Sequence, residues 1–271
     1  ISLADPSHVR PVWQQPCLGL PALSQWQDKP SWAARLAALY ALSLGRPRVL
    51  VVSLESLLLR YMPVNFFHSR TLEIGKGSDY APELLLEQAV EWGYERVTMV
   101  TRPGEMARRG DILDLYPAGY ARPVRLEFFG DTLEEMRFFD AETQRSLQGC
   151  DELTLLPVSP LAFDAREAEA TRKRFDRMFA EGRIGENDCY SFKKTLDAGG
   201  AGLLPGCALE APSLFEDWLP QDCLWLLPGE ADSAEALRDG RLALKERLEA
   251  EDAPLPQPAS LALRKSSQPA P

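Results

Sequence analysis

Between residues 96 and 156 one pattern repeats: a run of five or six residues rich in Val, Leu, Ile and Phe, then a turn of Gly, Pro or Asp. The runs occupy 96–101, 111–116, 124–129, 133–138 and 152–156, and are separated by Arg102-Pro103-Gly104, Pro117-Ala118-Gly119, Gly130-Asp131 and a polar turn at 140–146. Such spacing predicts short strands joined by tight reversals, because Gly and Pro supply the backbone angles that turn a chain back on itself. A helix over about 82–92 precedes them, with Gly93 as its C-terminal stop. One helix followed by antiparallel strands is an α+β unit, which we place at residues 75–157.

The flanks read differently. Residues 1–27 are rich in Pro, Gln and Trp and read as an irregular lead-in. Pro30 suits a first helical turn, and Trp32, Leu36, Leu39 and Tyr40 recur at helical spacing until Gly45 and Pro47 end the pattern. Val49-Leu50-Val51-Val52 is a β-branched run of the kind buried on both faces of a parallel sheet. A second helical stretch runs from Ser53 through Leu59 and stops at Pro63. This order predicts an α/β layer. Beyond Leu161 the chain turns helical again: 166–180 is heavily charged, with Phe175, Met178 and Phe179 as its apolar side. Leu224-Trp225-Leu226-Leu227 reads as another buried strand, and Asp232 with Glu235 has capping-box spacing before a helix to about 251. Five prolines in the last eighteen residues mark a linker.

Composition excludes several function classes. No apolar stretch reaches the roughly 18 residues needed to cross a bilayer, so a cytoplasmic location is expected. Ile1 is not an initiator methionine, so the chain is expected to be a piece of a longer protein. Cys17, Cys150, Cys189, Cys207 and Cys223 are scattered, without the close pairs of a zinc site, and read as reduced thiols. His8 and His68 share no metal-ligand spacing. No metal or other cofactor is expected. A phosphate loop needs Gly, four residues, then Gly-Lys-Ser/Thr. Here the one Gly-Lys pair, Gly75-Lys76, is followed by Gly77, and Arg70 stands where the leading glycine belongs. No catalytic residues are assigned.

Two features of the middle region invite a partner. In Arg108-Arg109-Gly110-Asp111 the glycine allows a sharp turn into a strand. In Val124-Arg125-Leu126-Glu127-Phe128-Phe129, alternation puts Val124, Leu126 and Phe128 on one face and Arg125, Glu127 and Phe129 on the other. An outward aromatic beside Arg and Glu has hot-spot composition, and it equally fits a solvated face with a partly covered Phe. Solvent-facing placement implies that truncating Arg125 or Phe129 changes stability little. Residues 75–157 hold nine basic and sixteen acidic side chains, and the whole chain carries −10. A phosphate-binding sheet should be basic, so a protein partner is expected in preference to nucleic acid.

The ordered run Gly93-Tyr94-Glu95-Arg96, Pro103-Gly104-Glu105, Arg109-Gly110-Asp111-Ile112-Leu113-Asp114, Tyr116-Pro117, Pro123 through Asp131, and Phe139-Asp140 to Thr143-Gln144-Arg145-Ser146 resembles the N-terminal UvrB-homology module of bacterial transcription-repair coupling factors (Mfd). The excision-repair protein UvrB shares the Tyr-Glu-Arg, Arg-Gly-Asp and Phe-Phe-Gly-Asp parts. The Thr-Gln-Arg-Ser turn, and a single tyrosine, Tyr40, where UvrB has a tyrosine-rich hairpin, favour the coupling factors. The resemblance implies an α/β fold, a degenerate helicase-like domain (1–74 and 158–252) split by an inserted α+β domain with an antiparallel sheet (75–157), then a linker (253–271). It implies that the insert binds UvrA through Arg109, Arg125 and Phe129, with Glu127, Asp131 and Arg137 nearby. It further implies a parent protein that is an ATP-dependent DNA translocase, contacting RNA polymerase and duplex DNA through other domains. A UvrB-like damage-verification fragment and a generic DNA-binding domain are the alternatives. Cys207-Ala208-Leu209 departs from the bulkier apolar residues of the family pattern.

Overall fold

A computed structural model of the chain describes residues 11–220 apart from 16, 21–28, 47–48, 54–55, 58, 198–202 and 204, together with 223, 239 and 242. The strand expected at 224–227, most of the last helix and the Pro-rich linker lie outside the described residues, as do 54, 55 and 58 of the helical stretch expected at 53–59, where Ser56 and Leu57 are helical.

The first segment holds strand β1 (Cys17–Gly19), helix α1 (Lys29–Ser43) and strand β2 (Val49–Val51). α1 is buried nearly all round, through Trp32, Leu36, Leu39 and the alanines between them. β1 and β2 pair in parallel. The expectation of a strand buried on both faces fails here: Val49 and Val51 are 55% and 61% exposed. The lead-in is also less irregular than expected. A 3-10 turn at Val12–Gln14 buries Trp13, whose ring meets Tyr40 and Tyr120 edge-on at 5.2 and 5.3 Å. Val12 N donates to Gly119 O at 2.8 Å, tying this turn to the middle of the chain.

Strand β3 (Leu72–Gly75) follows, then α2 (Pro82–Glu91), which begins with proline at a first-turn position and ends at Trp92-Gly93 as expected. Six strands then form one sheet in sequence order: β4 (Glu95–Arg96), β5 (Glu105–Arg109), β6 (Ile112–Leu115), β7 (Val124–Phe129), β8 (Thr132–Phe139) and β9 (Ser146–Gly149). Only β4 and β5 run parallel; the rest are antiparallel. β10 (Glu152–Leu155) leaves this sheet and pairs antiparallel with β3. The expected strand at 96–101 is thus only its first residue, and β5 and β9 form in stretches where no strand was expected. The result is a mixed α/β structure with antiparallel sheets.

Gly110-Asp111 and Gly130-Asp131 are two-residue hairpin turns, with both glycines at φ 60. Positive φ at the first central position suits the twist of a two-residue hairpin and is a conformation glycine adopts without steric cost. Both turns lie at the same end of the sheet, where Phe128 N donates to Asp111 O at 2.9 Å.

The inner face of the sheet, with Leu113, Leu115, Val124, Leu126, Phe128, Leu133 and Met136, joins α1, α2, Tyr61, Phe67, Phe215 and Trp218 in one apolar core. A second cluster around Phe175 and Phe192 joins α3 (Ala165–Ala180) to α4 (Glu186–Asp197). Asp164 and Glu167 close the start of α3 as a capping box. Phe179, expected on the apolar side, points to solvent instead. A short α5 (Pro205–Ala208) and a 3-10 turn at Phe215–Trp218 complete the described part. Arg70 clamps two segments together: its Nε donates to Ala162 O at 2.9 Å, it pairs with Glu167, and it lies over the Phe66 ring.

Candidate functional site

Strand register sorts the outer face of the sheet into rungs. One rung runs Ala107, Asp114, Arg125, Arg137 across β5 to β8; the next runs Arg109, Ile112, Glu127, Glu135. Beyond an irregularity after Glu127, Phe129 faces Thr132 beside the two hairpin turns. The burial pattern of β7 follows the parity expected of it, with Val124, Leu126 and Phe128 inside and Arg125, Glu127 and Phe129 outside. Arg125 and Phe129 stand roughly 13 Å apart along the strand.

The two ends of this face differ. At the Arg125 end, Val100, Ala107 and Phe139 form a small apolar cluster of their own, with Val97 and Tyr116 against it. The 97–104 loop that covers it is held from several sides. Val97 N donates to Met106 O at 2.8 Å, and Gln144 Nε2 donates to Val100 O at 3.1 Å. The Glu105 carboxylate accepts from Thr101 N at 2.7 Å and Arg102 N at 2.9 Å. Burial alone would push the Glu105 carboxyl up, and these donors outweigh it and hold it below the ordinary carboxylate range. Gln144 belongs to the Thr-Gln-Arg-Ser turn, so that turn fastens the loop over the outer face.

Arg125 sits in this covered end. Its Nε donates to Asp114 Oδ1 at 2.7 Å and its Nη2 to Asp114 Oδ2 at 2.9 Å, and the guanidinium lies 4.9 Å from the Phe139 ring centre. Asp114 is 1% exposed and the Arg125 side chain 18%. The hydrogen bonds to Asp114 raise the Arg125 pKa further, with Glu127 adding to the effect. The guanidinium expected to reach freely into a partner is therefore already engaged within the chain. Arg137, directly across from Arg125, pairs with Glu135 on its own strand, which holds the Glu135 carboxyl down.

The other end is open. Phe129 is 76% exposed. Arg109 is exposed and donates through Nη2 to Thr98 O at 2.7 Å. Glu127 and Ile112 are half-buried, and Asp131 is exposed in the turn, where its carbonyl accepts from Tyr80 N. The structure thus brings Arg109, Arg125, Glu127, Phe129 and Arg137 to one face, with Asp131 at its rim. Asp114, Ile112, Glu135 and Phe139 were not read as part of it. The signal for Asp114 in the sequence is a lone acid between Leu113 and Leu115.

Gly75-Lys76-Gly77 has another use than phosphate binding. Gly75 ends β3, Lys76 N donates to Asp151 O at 2.9 Å and Gly77 N to Leu133 O at 2.8 Å, so these amides join neighbouring segments of the chain. Among the described residues no three His, Cys, Asp or Glu side chains gather as a metal site requires, and no helix is long and apolar enough to cross a membrane. Burial pushes the Cys150 thiol up to about 11 and the Cys207 thiol to about 12.

Comparison with known proteins covers the region that holds this face. Residues 72–160, which include every strand from β3 to β10, match the UvrB interaction domain family. The chain is 34% identical over 236 residues to the transcription-repair-coupling factor of Escherichia coli (strain K12), an alignment covering 86% of this chain and 20% of that protein. It is 33% identical over 196 residues to the factor of Haemophilus influenzae, covering 72% and 17%. The Bacillus subtilis (strain 168) factor is 31% identical over 144 residues, covering 53% and 12%. The chain therefore spans about a fifth or less of the length of these relatives.

Proposed function

Because residues 72–160 belong to the UvrB interaction domain family and the chain is a relative of the transcription-repair-coupling factors over most of its length, we propose that it is a non-catalytic docking module that recruits UvrA to stalled transcription. The contact face is the outer side of β5 to β8, with Phe129 as the apolar anchor and Arg109, Arg125, Glu127, Asp131 and Arg137 around it. The observation that carries this reading is Phe129: a large aromatic, 76% exposed at the end of β7, on the same face of the sheet as Arg109, Glu127 and Arg125. Such an anchor gains most by desolvation in a partner's pocket. The net negative charge of the region disfavours DNA as that partner.

The surrounding segments, 1–74 and 158–252, are read as the two parts of a degenerate helicase-like domain that carries the insert. The 271-residue sequence contains no phosphate-loop motif, which supports a module without ATPase activity. Translocation on duplex DNA and contact with RNA polymerase are assigned to other domains of a longer cytoplasmic protein. The test is a calorimetric titration of UvrA into this chain and into its Phe129→Ala variant. The expected result is binding by the parent chain that falls on the order of 30-fold, or about 2 kcal/mol, in the variant. Equal binding by the two chains overturns the docking face.

A further inference from the structure

The Arg125–Asp114 pair is badly placed if its purpose is stability alone. Asp114 is almost wholly buried, and taking a carboxylate out of water costs several kcal/mol that its pairing only offsets. Two apolar residues at these facing positions would hold the sheet as well or better. What an apolar pair does not provide is a charged guanidinium locked in one place on the outer face. Three features lock it here: a two-point hydrogen bond to Asp114, a direct cross-strand position in register, and the buried Phe139 ring beside the guanidinium. Two nitrogens, Nε and Nη2, are turned toward Asp114. Nη1 has no acceptor among the described residues.

We infer that Asp114 is the positioning residue of the docking face: it fixes Arg125 before the partner arrives, so that Arg125 offers the partner its Nη1 edge and not a two-pronged fork. This rests on the docking reading given above. The partner group it suits is a single acceptor, a backbone carbonyl or one oxygen of a carboxylate. A free arginine loses its rotamer freedom on binding; Arg125 has lost it on folding, which leaves more of the contact energy for affinity.

The experiment is a double-mutant cycle on the full 271-residue chain, with UvrA as the probe and binding and melting measured for each variant. Asp114→Asn is expected to weaken binding about three- to tenfold when Arg125 is present, the worth of one ordered long side chain. In the Arg125→Ala background the same change should leave UvrA affinity where it is, because nothing remains to be positioned. If Asp114→Asn does not fold, Phe139→Leu replaces it; that variant removes the ring beside the guanidinium, keeps Asp114, and is expected to weaken binding about two- to fivefold, again only with Arg125 present. Parent-like binding by a folded Asp114→Asn overturns the positioning role, as does an equal loss with and without Arg125. Parent-like binding by Arg125→Ala overturns it too, by removing Arg125 from the interface, and if Phe129→Ala also binds like the parent the docking reading falls with it.

Discussion

On the inner face of β7, Val124, Leu126 and Phe128 are closed into the main core, while on the outer face Arg125 is covered and Phe129, four residues on, is open to water. The inner face is governed by volume: its residues touch other apolar groups, and any of similar size and shape serves nearly as well. The outer face is governed by pairing and by what the 97–104 loop happens to cover. Its exposure is graded along a single strand, so neighbouring outward positions answer to different rules. An outward position on a strand is thus not automatically a surface position, and Arg125 is the clearest instance.

Substitutions that separate the two faces test this comparison. Leu126→Ala, on the inner side, should have the largest effect, a loss of about 2–5 kcal/mol of stability from the cavity it leaves, with UvrA affinity of the folded protein unchanged; thermal melts beside titrations would show it. Arg125→Ala should lower stability on the order of 3 kcal/mol, because Asp114 is left buried without its counter-charge. That departs from the expectation for a solvent-facing arginine, and a melting temperature within a degree of the parent would show that water reaches Asp114 freely. Phe129→Ala should do the reverse of Leu126→Ala, losing about 2 kcal/mol in binding while its stability stays within about 0.5 kcal/mol. The smallest effect is expected at Glu105→Gln, about 1 kcal/mol, measured by chemical denaturation across pH. The Glu105 carboxyl is held below its unfolded value, so its contribution is full above about pH 4.3 and fades as pH falls through the lower folded value. Parent and variant should therefore converge in acid and differ at neutral pH.

Much of the inner architecture was legible because periodicity reports burial directly. The parity of β7, the two Gly-Asp hairpins and the stop of α2 at Gly93 all follow from local residue choice. β5 was not legible: Glu105-Met106-Ala107-Arg108-Arg109 is mostly polar, and it is a strand because β4 and β6 supply its partners on both sides. β9 likewise has exposed residues throughout and owes its form to pairing with β8. The outer cluster draws Val100, Ala107 and Phe139 from separate segments, so no window of sequence contains it. The candidate face itself came from resemblance joined to alternation. The resemblance pointed to Arg125, and only the register of β6 against β7 reveals that Asp114 already holds it. The exposed valines of β2 show the converse, a β-branched run that reads as core and is not covered by the described residues.

β3 and β10 carry a consequence of another kind. Leu72 lies opposite Leu155 and Gly75 opposite Glu152, so the chain departs into the six-stranded sheet and returns from it along two adjacent strands. Neighbouring strands are about 5 Å apart, so the two ends of the intervening segment lie side by side, while its inner face packs against the flanking segments through Trp13, α1 and Trp218. Ends held this close mean that lengthening or exchanging the intervening segment leaves the flanking chain path intact, so long as the core it shares with those flanks is kept. Moving residues 72–155 to another host would carry Phe129 and its surroundings along, and the host would have to replace the apolar surface that Trp13, α1 and Trp218 give the inner face of the sheet.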